Sequence, residues 1–202
     1  FTTIAAIAMQ GVRQSNNSVG ETVVVIGLGL IGLITIKILE ASGCNALGVD
    51  IDDDAVKKGR NLGLTCFNRK DSSINQKLLD LSSGYGIDSV IITAATKSND
   101  PINFSSEILR DKGKITIVGD VKTELPRKPF YLKELTLNFS KSSGPGRYDS
   151  QYEEKGEDYP IGFVRWTENR NMHSILDLLN SKKMTLNDLD YLQVDFSNSP
   201  KY

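Results

Sequence analysis

The 202-residue sequence predicts an α/β fold built on a doubly wound parallel sheet. Two observations lead to this fold class. Short β-branched runs alternate with helical segments along most of the chain, which is typical of βαβ units. Several of these runs are apolar at every position, as in strands that are buried on both faces of a sheet. Because βαβ crossovers are right-handed, we expect the strand order 3-2-1-4-5 with at least one further strand.

The first part of the chain supplies the opening helix and the first three strands. Apolar residues at helical spacing predict a helix over 4–12, and the β-branched run that follows predicts a strand at 22–26. Residues 30–41 are apolar nearly all round, which predicts a deeply buried helix. The same alternation then predicts strands at 46–49 and 64–67 and helices at 53–62 and 74–81.

The second part of the chain continues this alternation. A further helix begins at Asp100 and Pro101, which suit the N-cap and the first helical position, and extends to 109. Strands are predicted at 89–93, 114–118 and 136–140.

The regular pattern ends after residue 140. Residues 141–166 predict a long irregular segment, and such a length is unusual inside a compact domain unless the segment is functional or packs on something else. An amphipathic helix resumes over 172–179.

Charge and cysteine content exclude several classes of protein. The 24 Lys and Arg residues balance the 25 Asp and Glu residues at a net charge of −1, which argues against a nucleic-acid-binding surface and an acidic disordered tail. No apolar stretch is long enough to span a bilayer. Cys44, Cys66 and His173 are too far apart in sequence to suggest a zinc site, and reduced thiols predict a cytoplasmic protein. We therefore expect no nucleic-acid or membrane partner and assign no metal ligand.

The first predicted strand leads directly into a glycine-rich turn that opens the next helix. The residues of this turn are Gly27, Leu28, Gly29, Leu30, Ile31 and Gly32. Gly27 allows a sharp turn off the strand, Gly29 allows the backbone to approach a pyrophosphate, and Gly32 allows the helix to pack close to the strand. Amides at the helix start would then point at the phosphates. This G-x-G-x-x-G pattern between a strand and a helix predicts a dinucleotide-binding site of the Rossmann type.

The second predicted strand ends at Asp50, followed by Ile51. An acidic residue at this position accepts hydrogen bonds from the ribose hydroxyls of adenosine, and its charge repels a 2′-phosphate, so the sequence predicts NAD as the cofactor rather than NADP. The alternative is that Asp50 merely caps the next helix, although Asp52 and Asp53 are available for that role.

Further cofactor contacts are expected at the carboxyl ends of the fourth and fifth predicted strands, next to the point where the strand order reverses. Small residues there leave room for the adenine and the nicotinamide, although each could equally be an ordinary turn residue. These positions are Thr93, Ala94, Ala95, Val118, Gly119 and Asp120. No catalytic residue is assigned.

Taken with the opening helix, these motifs resemble the medium-chain dehydrogenase superfamily, which includes the zinc-containing alcohol, threonine and polyol dehydrogenases. The resemblance rests on the helix that ends at Gly11, Val12 and Arg13 and on the glycine-rich turn at 27–32. Residues 125–130 and 143–148 resemble a bacterial branch of this superfamily, whose members are often fused to a second oxidoreductase module.

The resemblance implies that the parent protein is an NAD-dependent dehydrogenase that transfers hydride to or from an alcohol, polyol or sugar. Residues 1–140 would form the dinucleotide-binding domain with its linker helix. Residues 141–202 would belong to, or pack against, an N-terminal catalytic domain that is absent from this chain. Without that domain the chain alone would be inactive.

The resemblance also implies a homodimer that forms through the edge strand at 136–140. In many relatives a lysine lies five residues after the ribose acid, but this chain has Ala55 there. Positive charge near the adenosine would therefore come from Lys57 or Lys58, or be absent.

Three other functions are known for proteins with a similar pattern of strands and helices. An NAD-sensing regulatory module without catalysis shares the glycine-rich turn and the ribose acid but usually lacks the linker helix and the returning segment. A methyltransferase would need a glycine where this chain has Ile31. A short-chain dehydrogenase would need a Tyr-x-x-x-Lys pair after the fourth strand.

Overall fold

The computed structural model describes residues 1–189, 194–195 and 197–198. Within them, six parallel strands form one sheet in the order β3-β2-β1-β4-β5-β6. The strands are β1 (Thr22–Ile26), β2 (Asn45–Asp50), β3 (Cys66–Asn68), β4 (Ile87–Ile92), β5 (Leu109–Ile117) and β6 (Thr136–Phe139). The helices are α1 (Thr2–Ser15), α2 (Leu30–Ala41), α3 (Asp53–Asn61), α4 (Ile74–Leu81), α5 (Asp100–Ile108), α6 (Arg127–Leu132), α7 (Ser150–Glu153) and α8 (Glu168–Asn180).

The doubly wound fold and the predicted strand order are therefore confirmed. The sixth strand predicted at 136–140 is β6, which pairs in parallel with β5 so that Asn138 lies opposite Thr116. The order of the strands reverses between β1 and β4, because β2 and β3 extend the sheet on one side of β1 and the later strands extend it on the other.

The core lies on both faces of the sheet. All five residues of β1 are buried, as expected for a central parallel strand. One face packs against α1, α2, α3 and α8 through residues such as Leu33 and Val56, and the other packs against α4 and α5 through residues such as Leu78 and Phe104.

The C-terminal part of the described chain packs on the same core as the sheet. Ile175 of α8 is fully buried, and Met184, Leu186 and Leu189 join the apolar cluster around α1 and α2. Lys37 of α2 forms an ion pair of 2.7 Å with Asp188. Of the predicted second region, 141–202, the stretch 168–189 therefore has its packing partner within this chain. Residues 190–193, 196 and 199–202 lie outside the described residues.

Most predicted bounds differ from the observed ones by a few residues, and three differences have a local cause. The helix predicted over 100–109 ends at Ile108, because Leu109 already pairs with Ile87 at an irregular start of β5. The short helix α6 was not predicted, since six residues are too few to show a helical period and none of them is fully buried. The short helix α7 lies in the segment predicted to be irregular and begins where the Asp149 side chain accepts a hydrogen bond from the Gln151 amide.

Among the described residues, no helix combines the length and the apolar composition that a membrane crossing would need.

Candidate dinucleotide-binding cleft

Gly27 forms the turn between β1 and α2 and has no room for a side chain. Its φ angle is +102°, in the left-handed region that favours glycine. A Cβ atom at this position would lie 2.6 Å from the main-chain nitrogen of Ala94, at the end of β4. The chain can therefore turn sharply from β1 toward α2, close beside the end of β4, only with glycine here.

The other two glycines of the motif differ in what surrounds them. A Cβ on Gly32 would lie 1.8 Å from the carbonyl oxygen of Gly27, so this glycine lets α2 pack against the turn. A Cβ on Gly29 would have no atom of the chain within 4 Å, and the backbone there has an ordinary φ of −68°. The absence of a side chain at Gly29 thus serves no internal contact, and it leaves open space at the N-terminus of α2, where main-chain amides lack helical partners. That space suits a pyrophosphate.

Asp50 connects the end of β2 to the glycine-rich turn. Its Oδ2 atom accepts a hydrogen bond of 2.7 Å from the Leu28 amide, and its Oδ1 atom accepts one of 3.0 Å from the Asp52 amide. The cap of α3 is Asp52, whose side chain accepts from the Asp54 amide. Asp50 is therefore not the helix cap, and its carboxylate is held at the edge of the turn with acceptor capacity to spare.

A cleft of about 370 Å³ opens at the carboxyl ends of β1, β2 and β4, where the strand order reverses. This is the position where ligands bind in open α/β sheets. Seven predicted site residues line it: Gly27, Gly29, Asp50, Ile51, Thr93, Ala94 and Ala95. Thr93 also supports the turn, since its hydroxyl donates a 2.8 Å hydrogen bond to the Gly27 carbonyl oxygen.

The other predicted residues are not part of the lining of this cleft. They are Leu28, Leu30, Ile31, Gly32, Val118, Gly119 and Asp120. The Leu28 side chain is buried in the core, and only its main-chain amide serves the site, through Asp50. A Cβ on Gly119 would lie 2.1 Å from the Ala94 carbonyl oxygen, so the end of β5 lies directly beside the end of β4. A nicotinamide contact of Val118, Gly119 and Asp120 remains a prediction.

Part of the cleft was not predicted from the sequence. Its lining also includes Ile26, Val49, Arg69, Thr96, Ser98, Asp100 and Pro101. Among the described lining residues, Arg69 is the one with a positive charge. Lys57 and Lys58, the cations expected near the adenosine, border a different hollow beside α3. The signal for Arg69 was present, because it directly follows β3 and the carboxyl ends of all the strands meet at one edge of a parallel sheet.

The remaining chemistry-bearing residues lie outside the cleft. Cys44 and Cys66 are free, buried thiols, as predicted. Burial raises the pKa of Cys66 to about 11, so its thiol stays protonated at neutral pH. His173 is exposed on α8. Among residues 1–189, 194–195 and 197–198, no three His, Cys, Asp or Glu side chains are placed to hold a metal ion, so these residues do not fit a zinc centre.

Comparison with known proteins gives a consistent set of similarities. The family model described as zinc-binding dehydrogenase matches residues 31–155. The D-guloside 3-dehydrogenase of Escherichia coli (strain K12) is 30% identical over 204 residues, a match that covers 98% of this chain and 54% of that protein. The chain thus spans about half the length of the curated relative that it matches.

Solved structures show the same fold. The alcohol dehydrogenase TADH from Thermus sp. ATN1 superposes with a TM-score of 0.73 at 18% identity, over 98% of this chain and 52% of that one. A structure described as a short chain alcohol dehydrogenase from E. coli CFT073, complexed with the cofactor NADH, superposes with a TM-score of 0.74 at 15% identity, over 99% and 52% of the two chains.

Proposed function

The chain belongs to the zinc-binding dehydrogenase family, and we propose on that basis that it forms the NAD(H)-binding domain of its parent oxidoreductase. The observation that supports this most strongly is that the glycine-rich turn and Asp50 face one cleft at the reversal point of the sheet. Bound NAD(H) would supply the hydride acceptor or donor of the reaction.

Different residues of the cleft would bind different parts of the dinucleotide. The start of α2 would face the pyrophosphate, with Gly29 leaving the space open. Asp50 would accept hydrogen bonds from the ribose hydroxyls, because its anchored carboxylate oxygens each retain acceptor capacity. Ala94 and Ala95 would leave room for the adenine beside the end of β4.

The choice of NAD over NADP follows from the charge of Asp50. A carboxylate at the ribose repels a 2′-phosphate. The dissociation constant of NADPH should therefore be higher than that of NADH by about tenfold or more. Replacing Asp50 by Asn keeps an oxygen that can accept from the Leu28 amide but removes the negative charge. The affinity gap between the two cofactors should therefore narrow in Asp50→Asn.

Fluorescence titrations with NADH and NADPH test this proposal. Asp54→Asn serves as the matched control, since Asp54 lies on the same acidic stretch but borders the hollow beside α3 rather than the cleft. The control should keep the full preference for NADH. Equal affinity of the unmodified protein for the two cofactors would contradict the ribose role of Asp50.

The activity of the whole protein is a wider proposal, because the chain spans 54% of its E. coli relative. We propose an NAD-dependent dehydrogenase that acts on an alcohol, polyol or sugar-type substrate. The name of that relative, D-guloside 3-dehydrogenase, favours the sugar class. The substrate pocket would be completed by a further catalytic domain. The similarities to dehydrogenases favour this function over that of an NAD-sensing module, which none of the observations supports.

Two further proposals concern the state of the protein. We propose a cytoplasmic location, in line with the two free thiols, and a homodimer that forms through β6.

The 202-residue chain on its own should show no turnover, because hydride transfer needs a substrate that is fixed against the nicotinamide.

A further inference from the structure

Arg69, the positively charged residue of the described cleft lining, has its main chain next to Asp50. Arg69 directly follows β3, the strand beside β2, and its main-chain amide donates a 2.8 Å hydrogen bond to the Asp50 carbonyl oxygen. In dinucleotide-binding folds, an arginine near the ribose acid accommodates the 2′-phosphate of NADP. The backbone therefore places a potential phosphate ligand beside the very acid that is proposed to reject the phosphate.

The guanidinium of Arg69 is occupied by the start of α5. The carboxylate of Asp100 accepts two hydrogen bonds from it, at 2.8 Å from Nη2 and 3.1 Å from Nε. Such bidentate, charge-assisted pairs are among the strong hydrogen bonds of proteins and fix the plane of the guanidinium. The ring of Phe104, one turn further along α5 and fully buried, lies 4.1 Å from the guanidinium carbon.

The pair is partly shielded from water. The Arg69 side chain is 25% exposed and the Asp100 side chain is 45% exposed, so the bidentate geometry, more than burial, holds the two groups together. Asp100 thereby neutralises the charge of Arg69 and keeps its side chain directed toward α5. A guanidinium that is neutralised and oriented in this way attracts a second anion less strongly than a free one, although Asp100 leaves its Nη1 hydrogens unused.

We propose that Asp100 is a specificity-determining residue, which disfavours NADP(H) by withholding Arg69 from the 2′-phosphate. This inference rests on the proposed function of the cleft. Cofactor choice would then depend on two carboxylates: Asp50 repels the phosphate, and Asp100 occupies the cation that would attract it. Specificity is a difference of two affinities, and a binding site can lower the affinity for the wrong ligand in both ways.

Titrations of the Asp100→Asn variant with NADH and NADPH test this inference. The asparagine keeps the size of the side chain but cannot neutralise the guanidinium, so Arg69 becomes free to pair with a 2′-phosphate. The ratio of the NADPH and NADH dissociation constants should shift toward NADPH by about tenfold, in keeping with a gained hydrogen bond between charged groups. A ratio that stays within twofold of the unmodified protein would overturn the inference.

The double variant Asp100→Asn/Arg69→Gln identifies the group responsible. The shift toward NADPH should disappear when Arg69 is also replaced. A shift that persists would mean that only the lost negative charge of Asp100 matters, and would overturn the role of Arg69. Equal gains for both cofactors in Asp100→Asn would also overturn it, because they would place the freed guanidinium on the phosphates that NADH and NADPH share.

A matched control is available at another edge of the sheet. Asp88 pairs with Arg110 at 2.6 Å and borders a hollow outside the cleft. Asp88→Asn should leave the cofactor ratio unchanged, and a shift of similar size there would overturn the inference in favour of a general charge effect. If the unmodified protein binds neither nucleotide, the proposed function fails together with the inference. Binding of NADH with no change in Asp100→Asn would remove the inference alone.

Discussion

At the level of a single residue, a substitution at Gly29 should change cofactor binding without changing the stability of the fold. A Cβ at this position meets no atom of the chain within 4 Å, and the backbone φ of −68° suits alanine. Gly29→Ala should therefore change the free energy of unfolding by less than about 1 kcal/mol, since a poorer helix cap is offset by a stiffer unfolded chain. NADH affinity should fall by about tenfold or more, because the methyl group would occupy the space of the pyrophosphate.

Chemical denaturation and NADH titration of the same variant measure these two effects separately. Gly162→Ala is the matched control, since Gly162 also has open space around it and an ordinary backbone conformation, but lies outside the cleft. It should retain full affinity. If Gly29→Ala binds NADH with the same affinity as the unmodified protein, the pyrophosphate does not approach the start of α2.

The roles of single residues were only partly predictable from the sequence. The three glycines and Asp50 were found because each belongs to a short pattern with a known backbone geometry. Arg69 could have been found from its place directly after β3, but its pairing with Asp100, 31 residues away along the chain, could not. That pair exists only after folding has placed the end of β3 and the start of α5 at the same edge of the sheet.

At the level of elements, β6 is an edge strand of the described sheet and has the features of a pairing surface. The Ser140 amide donates to Ile117 of β5, so by the alternation of a strand the Phe139 amide points away from the sheet. The Phe139 side chain is 62% exposed, and the helix before β6 leaves Tyr131 and Leu132 exposed as well. Unpaired strand edges are templates for pairing with another chain.

We therefore expect a dimer in light scattering and a monomer for Phe139→Lys, because a charge on the edge disfavours strand pairing. Leu176→Lys is the control, since Leu176 is also an exposed apolar residue but lies on α8, which packs on α1 and is not part of the strand edge. It should remain dimeric. A monodisperse monomer of the unmodified protein at high concentration would contradict the proposed interface.

Some strands could be predicted from the sequence and others only in part. Strands β1, β2, β4 and β5 were predictable because burial on both faces requires continuous apolar runs. The start of β5 was not, because it depends on distant contacts: Lys133, after α6, donates hydrogen bonds to the carbonyl oxygens of Ser106, Glu107 and Leu109 and so closes the end of α5. Burial lowers the pKa of this lysine, as expected for an ammonium group that is partly removed from water.

At the level of the whole molecule, the order of the sheet was predictable because handedness rules leave few arrangements of repeated βαβ units. The packing of residues 168–189 was not. The amphipathic pattern over 172–179 predicts a helix but not the surface on which it packs, and the burial of Asn171 depends on hydrogen bonds to Gln10 and Ser143 that no local pattern indicates. The segment 141–166 exposes Tyr148, Ile161 and Phe163, and we propose it as the surface that packs against a further domain.

We propose above all that one dinucleotide occupies the cleft at the reversal point of the sheet. Amide hydrogen exchange with and without saturating NADH tests it most directly, because exchange slows where a bound ligand restricts opening of the backbone. We predict protection in three separate stretches, 27–33, 49–53 and 93–98, with no comparable change over 150–180. Protection that is absent from these stretches, or that is confined to the C-terminal region, would contradict the claim.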